Sequence, residues 1–171
     1  VAEQFNISRG DQDAFALWSQ QKAKTSITSQ RFFKEIITIE VQTRKETIII
    51  GDDEFPKPDT TLEKLSKLKP AFRTDGKGSV TAGNSSGLND GACAMILASE
   101  EAVKKYNLKP LAKFITSAVV GVEPRIMGIG PLPATQKVLR KTGLTISDIS
   151  VIEMNEAFAV QCLATLLLFR W

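Results

Sequence analysis

The chain of 171 residues contains no histidine. That absence removes the commonest general base and the commonest transition-metal ligand together. It has two cysteines, Cys93 and Cys162, too few for a disulfide framework and without the spacing of a metal site. Both lie in apolar surroundings, Cys93 in an expected strand and Cys162 in an expected helix, which points to buried packing residues rather than nucleophiles. No apolar run approaches the ~20 residues that a membrane helix needs. The longest, Ala157 to Phe169, is interrupted by Gln161 and predicts a buried helix. The first residues, Val1-Ala2-Glu3-Gln4-Phe5, have neither the basic start nor the apolar core of a secretory signal. The expected location is therefore cytoplasmic. The net charge is only +3, with lysines and arginines scattered rather than striped, which argues against nucleic acid as a partner. With 43% hydrophobic and 24% charged residues, the composition suffices for a folded core.

The most informative stretch runs from Asp75 to Ala98. Gly76, Gly78, Gly83, Gly87 and Gly91 punctuate it, with Ser79, Thr81, Asn84, Ser85, Ser86, Asn89 and Asp90 between them. Glycine lets another group approach the backbone closely. Such a loop leading into the apolar run Ala92 to Ala98 predicts either a backbone-lined site or a long turn, followed in both cases by a buried strand.

Around this stretch the pattern alternates between helix and strand. Ser8 and Asp11 form a capping box, and Ala14, Phe15, Leu17, Trp18 and Ala23 give an apolar face, so a helix is expected over about residues 9–26. Residues 34–41 and 47–50 read as a hairpin. Thr60 and Glu63 suggest a second capping box before a short helix carrying Leu62, Leu65 and Leu68, with Pro70 beyond its end. Ser99 caps an expected helix over 100–106 that stops at Asn107. Residues 112–120 read as a strand, 134–142 as a helix closed by Gly143, and 150–154 as a short buried strand leading to the last helix. This alternation implies an α/β fold.

Thr-Ala-Gly-Asn-Ser-Ser-Gly-Leu-Asn-Asp-Gly-Ala (81–92) closely resembles the pantetheine-loop motif of the thiolase family. Asn-Glu-Ala-Phe-Ala (155–159) matches a second thiolase motif in the right order. Ser8-Arg9, Gln12 to Ala16 and Met127 to Pro131 add further matches, so the resemblance covers nearly the whole chain. Residues 59–63 and 125–131 are similar to degradative thiolases of the β-ketoadipyl-CoA type. The resemblance implies part of the thiolase fold: a loop-domain portion over 1–78, the end of the N-terminal half over 79–109, and the start of the C-terminal half over 110–171.

It also implies roles. Asn155 would help hold the water of an oxyanion site, although asparagine at a strand-to-helix junction also serves simply as an N-cap. Glu156 would tune that network or favour the helix start. Ser86 would bond the pantetheine arm, with Ala82 and Gly83 offering bare backbone. Lys57 would reach the CoA nucleotide, or be a solvated loop lysine. Met127, Ala157 and Phe158 would form pocket wall, a role close to core packing. Coenzyme A would be a substrate, not a resident cofactor; no metal is implied, and the partners would be CoA thioesters. The intact enzyme would be a homodimer or homotetramer.

By the resemblance, the family's nucleophilic cysteine would lie before Val1 and its Gly-His-Pro histidine and acid/base cysteine after Trp171, and Cys93 and Cys162 match neither catalytic position. The expectation is therefore an internal fragment of an acyl-CoA acyltransferase that is inactive alone. The alternatives are a catalytically inactive CoA-binding or protein-interaction remnant, and a folded piece without function of its own. Trp18 stands where such proteins commonly carry a small residue, and the turn at 43–46 lacks their glycine.

Overall fold

The computed structural model describes Val1 to Phe169; Arg170 and Trp171 lie outside the described residues. The chain divides into two compact units, one formed by Val1–Gly87 with the segment from Met154 onward, the other by Leu88–Glu153.

The first unit is organised by a long helix, α2, over Arg9–Thr28, which follows a short helix α1 at Ala2–Phe5. Ser8 starts α2 by a reciprocal cap: its hydroxyl accepts from the Asp11 amide at 3.1 Å, and its own amide donates to the Asp11 carboxylate at 3.2 Å. Each bond satisfies an amide that the helix start would otherwise leave unpaired. Thr61 then caps α3, Leu62–Ser66, by accepting from Lys64 N at 3.2 Å. The cap is therefore one residue beyond the expected Thr60, whose hydroxyl donates instead to the Lys57 carbonyl at 2.7 Å. Helix α6, Ala159–Phe169, packs on α2, as does α3. Ile7, Val160 and Ala164 form the centre of a small core, flanked by Phe5, Val80, Phe158 and Leu163.

Strands β1 (Ile39–Gln42) and β2 (Thr47–Ile50) make an antiparallel hairpin with Ile39 opposite Ile50 and Gln42 opposite Thr47. Its turn works without glycine: Thr43 accepts from the amides of Lys45 and Glu46 and donates to the Glu46 carbonyl. A threonine hydroxyl that imitates a backbone turn supplies what the missing glycine would have eased.

The second unit contains α4 (Glu100–Lys105) and α5 (Pro131–Thr142), with 3-10 turns at Pro124–Ile129 and Ile146–Asp148. Ser99 caps α4 through the Ala102 amide at 3.2 Å, and Asn107 and Gly143 take left-handed backbone, with φ 50° and 71°, just beyond α4 and α5. These stops follow the expected chemistry of Asn and Gly at helix ends.

The three strands expected at 92–98, 112–120 and 150–154 do not form among the described residues. Their apolar side chains are open to solvent: Ile96 is 90% exposed, Val119 83% and Val151 76%. Cys93 is exposed too, which corrects its assignment to a buried strand; Cys162 is buried as expected. An apolar pattern says that a segment is suited to burial. A strand also needs a neighbour's N–H and C=O groups, and no backbone ladder reaches these segments among the described residues.

Candidate functional site

The site grows from the way residues 81–86 are tied between α2 and α6. Asn84, 3% exposed, is the knot. Its side-chain carbonyl accepts from Thr81 N at 2.8 Å, and its amide donates to Asp13 Oδ1 at 2.9 Å and to the Ser79 carbonyl at 3.1 Å. Asp13 Oδ2 in turn accepts from Arg9 Nε at 2.8 Å, and Arg9 Nη2 donates to the carbonyls of Leu65 and Leu68. The loop's backbone then meets the start of α6: Ala159 N donates to the Asn84 carbonyl and Ser86 N to the Ala157 carbonyl, both at 2.9 Å. Ser85 and Phe158 pair across an isolated antiparallel bridge.

Between these elements lies a cleft of about 440 Å³, within the usual range of small-molecule sites. Gly83 to Ser86 and, paired alongside them, Asn155 to Ala157 line it, with Phe55 and Pro56 from the loop before α3. The floor is the face of α2 carrying Phe15, Ala16, Ser19, Gln20 and Ala23. Those positions recur at three- and four-residue intervals, so one helix face supplies them all. The sequence pattern marked Phe15 and Ala23 as apolar face; Ser19 and Gln20 carried no signal, since polar residues on a helix ordinarily face water.

Each candidate residue has a definite place. Gly83, Ser86, Asn155, Glu156 and Ala157 line the cleft together. Ala82 is exposed and is not among the lining residues. Phe158 is half-buried in the core beside Phe72, ring centroids 6.1 Å apart and nearly perpendicular, so packing is what it does here. Lys57 adjoins Pro56: its amide donates to Gln20 Oε1 at 2.7 Å and its ammonium to the Glu54 carbonyl at 2.9 Å. Met127 belongs to the other compact unit, where it is exposed in the 3-10 turn.

Asn155 is exposed, four residues before the first residue of α6, so it is not that helix's N-cap. No protein group among the described residues takes its side-chain amide, which leaves a free donor and acceptor at the cleft wall. Its backbone carbonyl accepts a long contact, 3.8 Å, from Cys162 Sγ. Glu156 accepts from Ser19 Oγ in a short hydrogen bond and from Lys22 Nζ at 3.4 Å. Lys22 also sits 3.8 Å above the Trp18 ring, a cation–π contact that holds its ammonium near the carboxylate. Burial pushes the Cys162 thiol up to about 11, with the Glu156 charge acting in the same direction. A thiol so placed stays protonated at neutral pH and is a packing group, not a nucleophile. Among the described residues no cluster of three metal-ligating side chains occurs, and no helix is long and apolar enough to cross a membrane.

Comparison with known proteins agrees with this architecture. Residues 1–101 match the family model of the thiolase N-terminal domain and residues 108–170 that of the thiolase C-terminal domain. The chain is 52% identical over 165 residues to the β-ketoadipyl-CoA thiolase of Acinetobacter baylyi, covering 96% of this chain and 41% of that protein. It is 50% identical over 164 residues to the mitochondrial 3-ketoacyl-CoA thiolase of Bos taurus, with the same coverage of each. Among solved structures, the Bacillus anthracis acetyl-CoA acetyltransferase superposes with a TM-score of 0.92 at 46% identity, covering 99% of this chain and 43% of that one. Human mitochondrial 3-ketoacyl-CoA thiolase in complex with CoA gives 0.88 at 47% identity, covering 99% and 41%. The chain thus spans about two fifths of the length of the relatives it matches, and with both domain models matched in order and the fold shared, it belongs to the thiolase family, with β-ketoadipyl-CoA thiolases among its near relatives.

Proposed function

We propose that this chain supplies the coenzyme A face of a thiolase, an acyltransferase that passes an acyl group between a cysteine and CoA. In the reaction, a 3-oxoacyl-CoA and free CoA give acetyl-CoA and an acyl-CoA two carbons shorter. The observation that carries the reading is the cleft itself, where Gly83 and Ser86 of one thiolase motif lie alongside Asn155, Glu156 and Ala157 of the other. A space lined by small residues, apolar groups of α2 and a few uncommitted polar groups suits a linear arm of amides and methylenes.

In this reading Ser86 bonds the pantetheine arm and Gly83 and Ala82 pass close beneath it. The Asn155 side-chain amide helps hold the water that stabilises charge developing on a thioester oxygen. Glu156, held by Ser19 and Lys22, keeps that segment in place. Lys57 meets the nucleotide phosphates at the mouth, and Met127 belongs beside the acyl group once the protein is fully assembled. The loop-domain portion is residues 1–78, followed by the two half-domain segments 79–109 and 110–171. The assembled enzyme works in the cytoplasm as a homodimer or homotetramer, without metal, and with CoA as substrate.

A second reading is a CoA-binding remnant without catalysis, consistent with a chain whose buried Cys162 is a packing group. Calorimetric titration of the purified chain with CoA tests what both readings share. Binding that disappears in Ser86→Trp is expected, and no binding by the unaltered chain overturns both. Thiolysis of acetoacetyl-CoA separates them. None is expected from this chain alone, and measurable turnover would remove the remnant reading.

A further inference from the structure

The Arg9–Asp13–Asn84 chain is a largely buried polar arrangement of the first unit, and the chemistry of the cleft does not itself require it. Asp13 and Asn84 are each 3% exposed, and Thr81 is fully buried. Burying a carboxylate is costly unless it is paired and hydrogen-bonded, so a group kept there has its geometry closely specified by its partners. Asp13 divides its two oxygens between Arg9 and Asn84, and Asn84 uses its side chain on three partners. The same Asn84 then holds the first amide of α6 with its backbone carbonyl. One residue therefore joins the helix that floors the cleft, the loop that lines it and the helix that follows the other lining segment.

We propose that this relay is a positioning device for CoA-thioester binding, with Asp13 and Asn84 as positioning residues that fix the Ser86 segment on α2 and in register with the Asn155 segment. The proposal rests on the CoA reading of the cleft. Asp13 does not line the cleft, and the Asn84 side chain, though its residue does, is spent on Thr81, Asp13 and Ser79. Their effect passes through two backbone bonds, Ala159 N to the Asn84 carbonyl and Ser86 N to the Ala157 carbonyl. A segment displaced by a fraction of an ångström misplaces every ligand contact on it at once.

The donor and acceptor pattern provides the test. Asn84→Asp sets two carboxylates against each other where an amide now donates at 2.9 Å. Asp13→Asn presents an amide that accepts from Arg9 or from Asn84 but not from both. The exchanged pair, Asp13→Asn with Asn84→Asp, restores the link: the new amide donates to the new carboxylate and still accepts from Arg9, at the loss of the bond to the Ser79 carbonyl and of the charge facing Arg9. CoA affinity is measured on folded protein by calorimetry, and exchange of the Ser86 and Ala159 amides by NMR. Each single variant is expected to weaken CoA binding roughly tenfold or more and to speed exchange at both amides, and the exchanged pair to recover most of both losses. Single variants that bind CoA like the parent, with both amides still protected, overturn the proposal and leave the CoA reading intact. No binding by the parent chain overturns the CoA reading and the positioning role with it. Should the single variants not fold, Arg9→Gln removes only the outer link. It is expected to give the same loss in milder form, and parental affinity and exchange there overturn the proposal.

Discussion

Gly83 has no side chain because α3 occupies the space where one would go. A Cβ built on Gly83 lies 2.5 Å from Leu65 Cδ2 and 2.6 Å from Leu68 Cδ1. Carbon atoms in contact prefer roughly 3.5–4.0 Å, so each leucine would have to retreat by about 1 Å. Leu68, 38% exposed, has room to move; Leu65, 4% exposed, is enclosed. Overpacking of this kind costs about 1–3 kcal/mol. Alanine also restricts the unfolded chain, which returns about 0.4–1 kcal/mol, because Gly83 does not occupy the left-handed region and alanine can adopt its backbone. Gly83→Ala is therefore expected to destabilise the protein by about 1–2 kcal/mol, which corresponds to about 2–4 °C of melting temperature for each kcal/mol in a chain of this size. Thermal and urea unfolding followed by circular dichroism read the change. Leu68→Ala provides the second arm: combined with Gly83→Ala it opens the space the new methyl group needs, so the pair should be less destabilising than the sum by roughly 1 kcal/mol. A Gly83→Ala protein as stable as the parent, or strict additivity with Leu68→Ala, would show that the glycine serves only the ligand side of the loop and that the packing argument is wrong.

Thiol labelling at mildly alkaline pH should show one fast and one slow cysteine. Exposed Cys93 reacts at once, and Cys162, buried with its thiol near 11, waits for unfolding; Cys93→Ser should abolish the fast phase, and two fast phases would contradict the burial of α6. Ser19→Ala removes one of the two groups holding Glu156 and should cost about 1 kcal/mol in unfolding experiments, while also weakening CoA binding; a change in neither would mean that Glu156 is held by Lys22 alone. Acid should loosen the N-terminal end first. Arg73 holds the carboxyls of Glu3 and Asp75 below their ordinary range, and Ser8 does the same for Asp11. The stability these groups add is complete above their usual values near ~4 and is lost as pH falls through the lower folded-state values, so amide protection in α1 and the first turn of α2 should decline below about pH 4. Protection in α1 that is unchanged down to pH 2 would refute this.

What could be read from the chain was local. The Ser8–Asp11 box, the Ser99 cap and the stops at Asn107 and Gly143 depend on residues a few positions apart and stand where the pattern put them; the hairpin expected at 34–41 and 47–50 also forms, with its first strand confined to Ile39–Gln42. The expected strands at 92–98, 112–120 and 150–154 depended on neighbours, and a one-dimensional pattern does not contain them. The cap at Thr61 rather than Thr60 shows how two adjacent threonines defeat a motif that counts to three. At the site, motif resemblance picked out Gly83, Ser86 and Asn155 to Ala157. Asp13 and Asn84 lay inside matched segments but were given no role, because a carboxylate and an amide 71 positions apart give no sign of their bond until α2 and the loop are brought together.

The cleft is built across a long excursion of the chain. Its Ser86 segment ends just before Gly87, its Asn155 segment begins just after Met154, and the intervening Leu88–Glu153 forms a compact unit of its own. Closing a loop of that length costs the unfolded chain about 4 kcal/mol of entropy on the simplest estimate. The short-range pieces, α2 with its cap and the hairpin, do not bear this cost and can form first; the cleft has to wait for the two ends to meet. The excursion is also a tether. A single proteolytic cut within 88–153 would break no contact in the cleft, yet it would turn the meeting of its two lining segments from an intramolecular event into a bimolecular one. Ligand affinity, otherwise independent of protein concentration, would then fall on dilution.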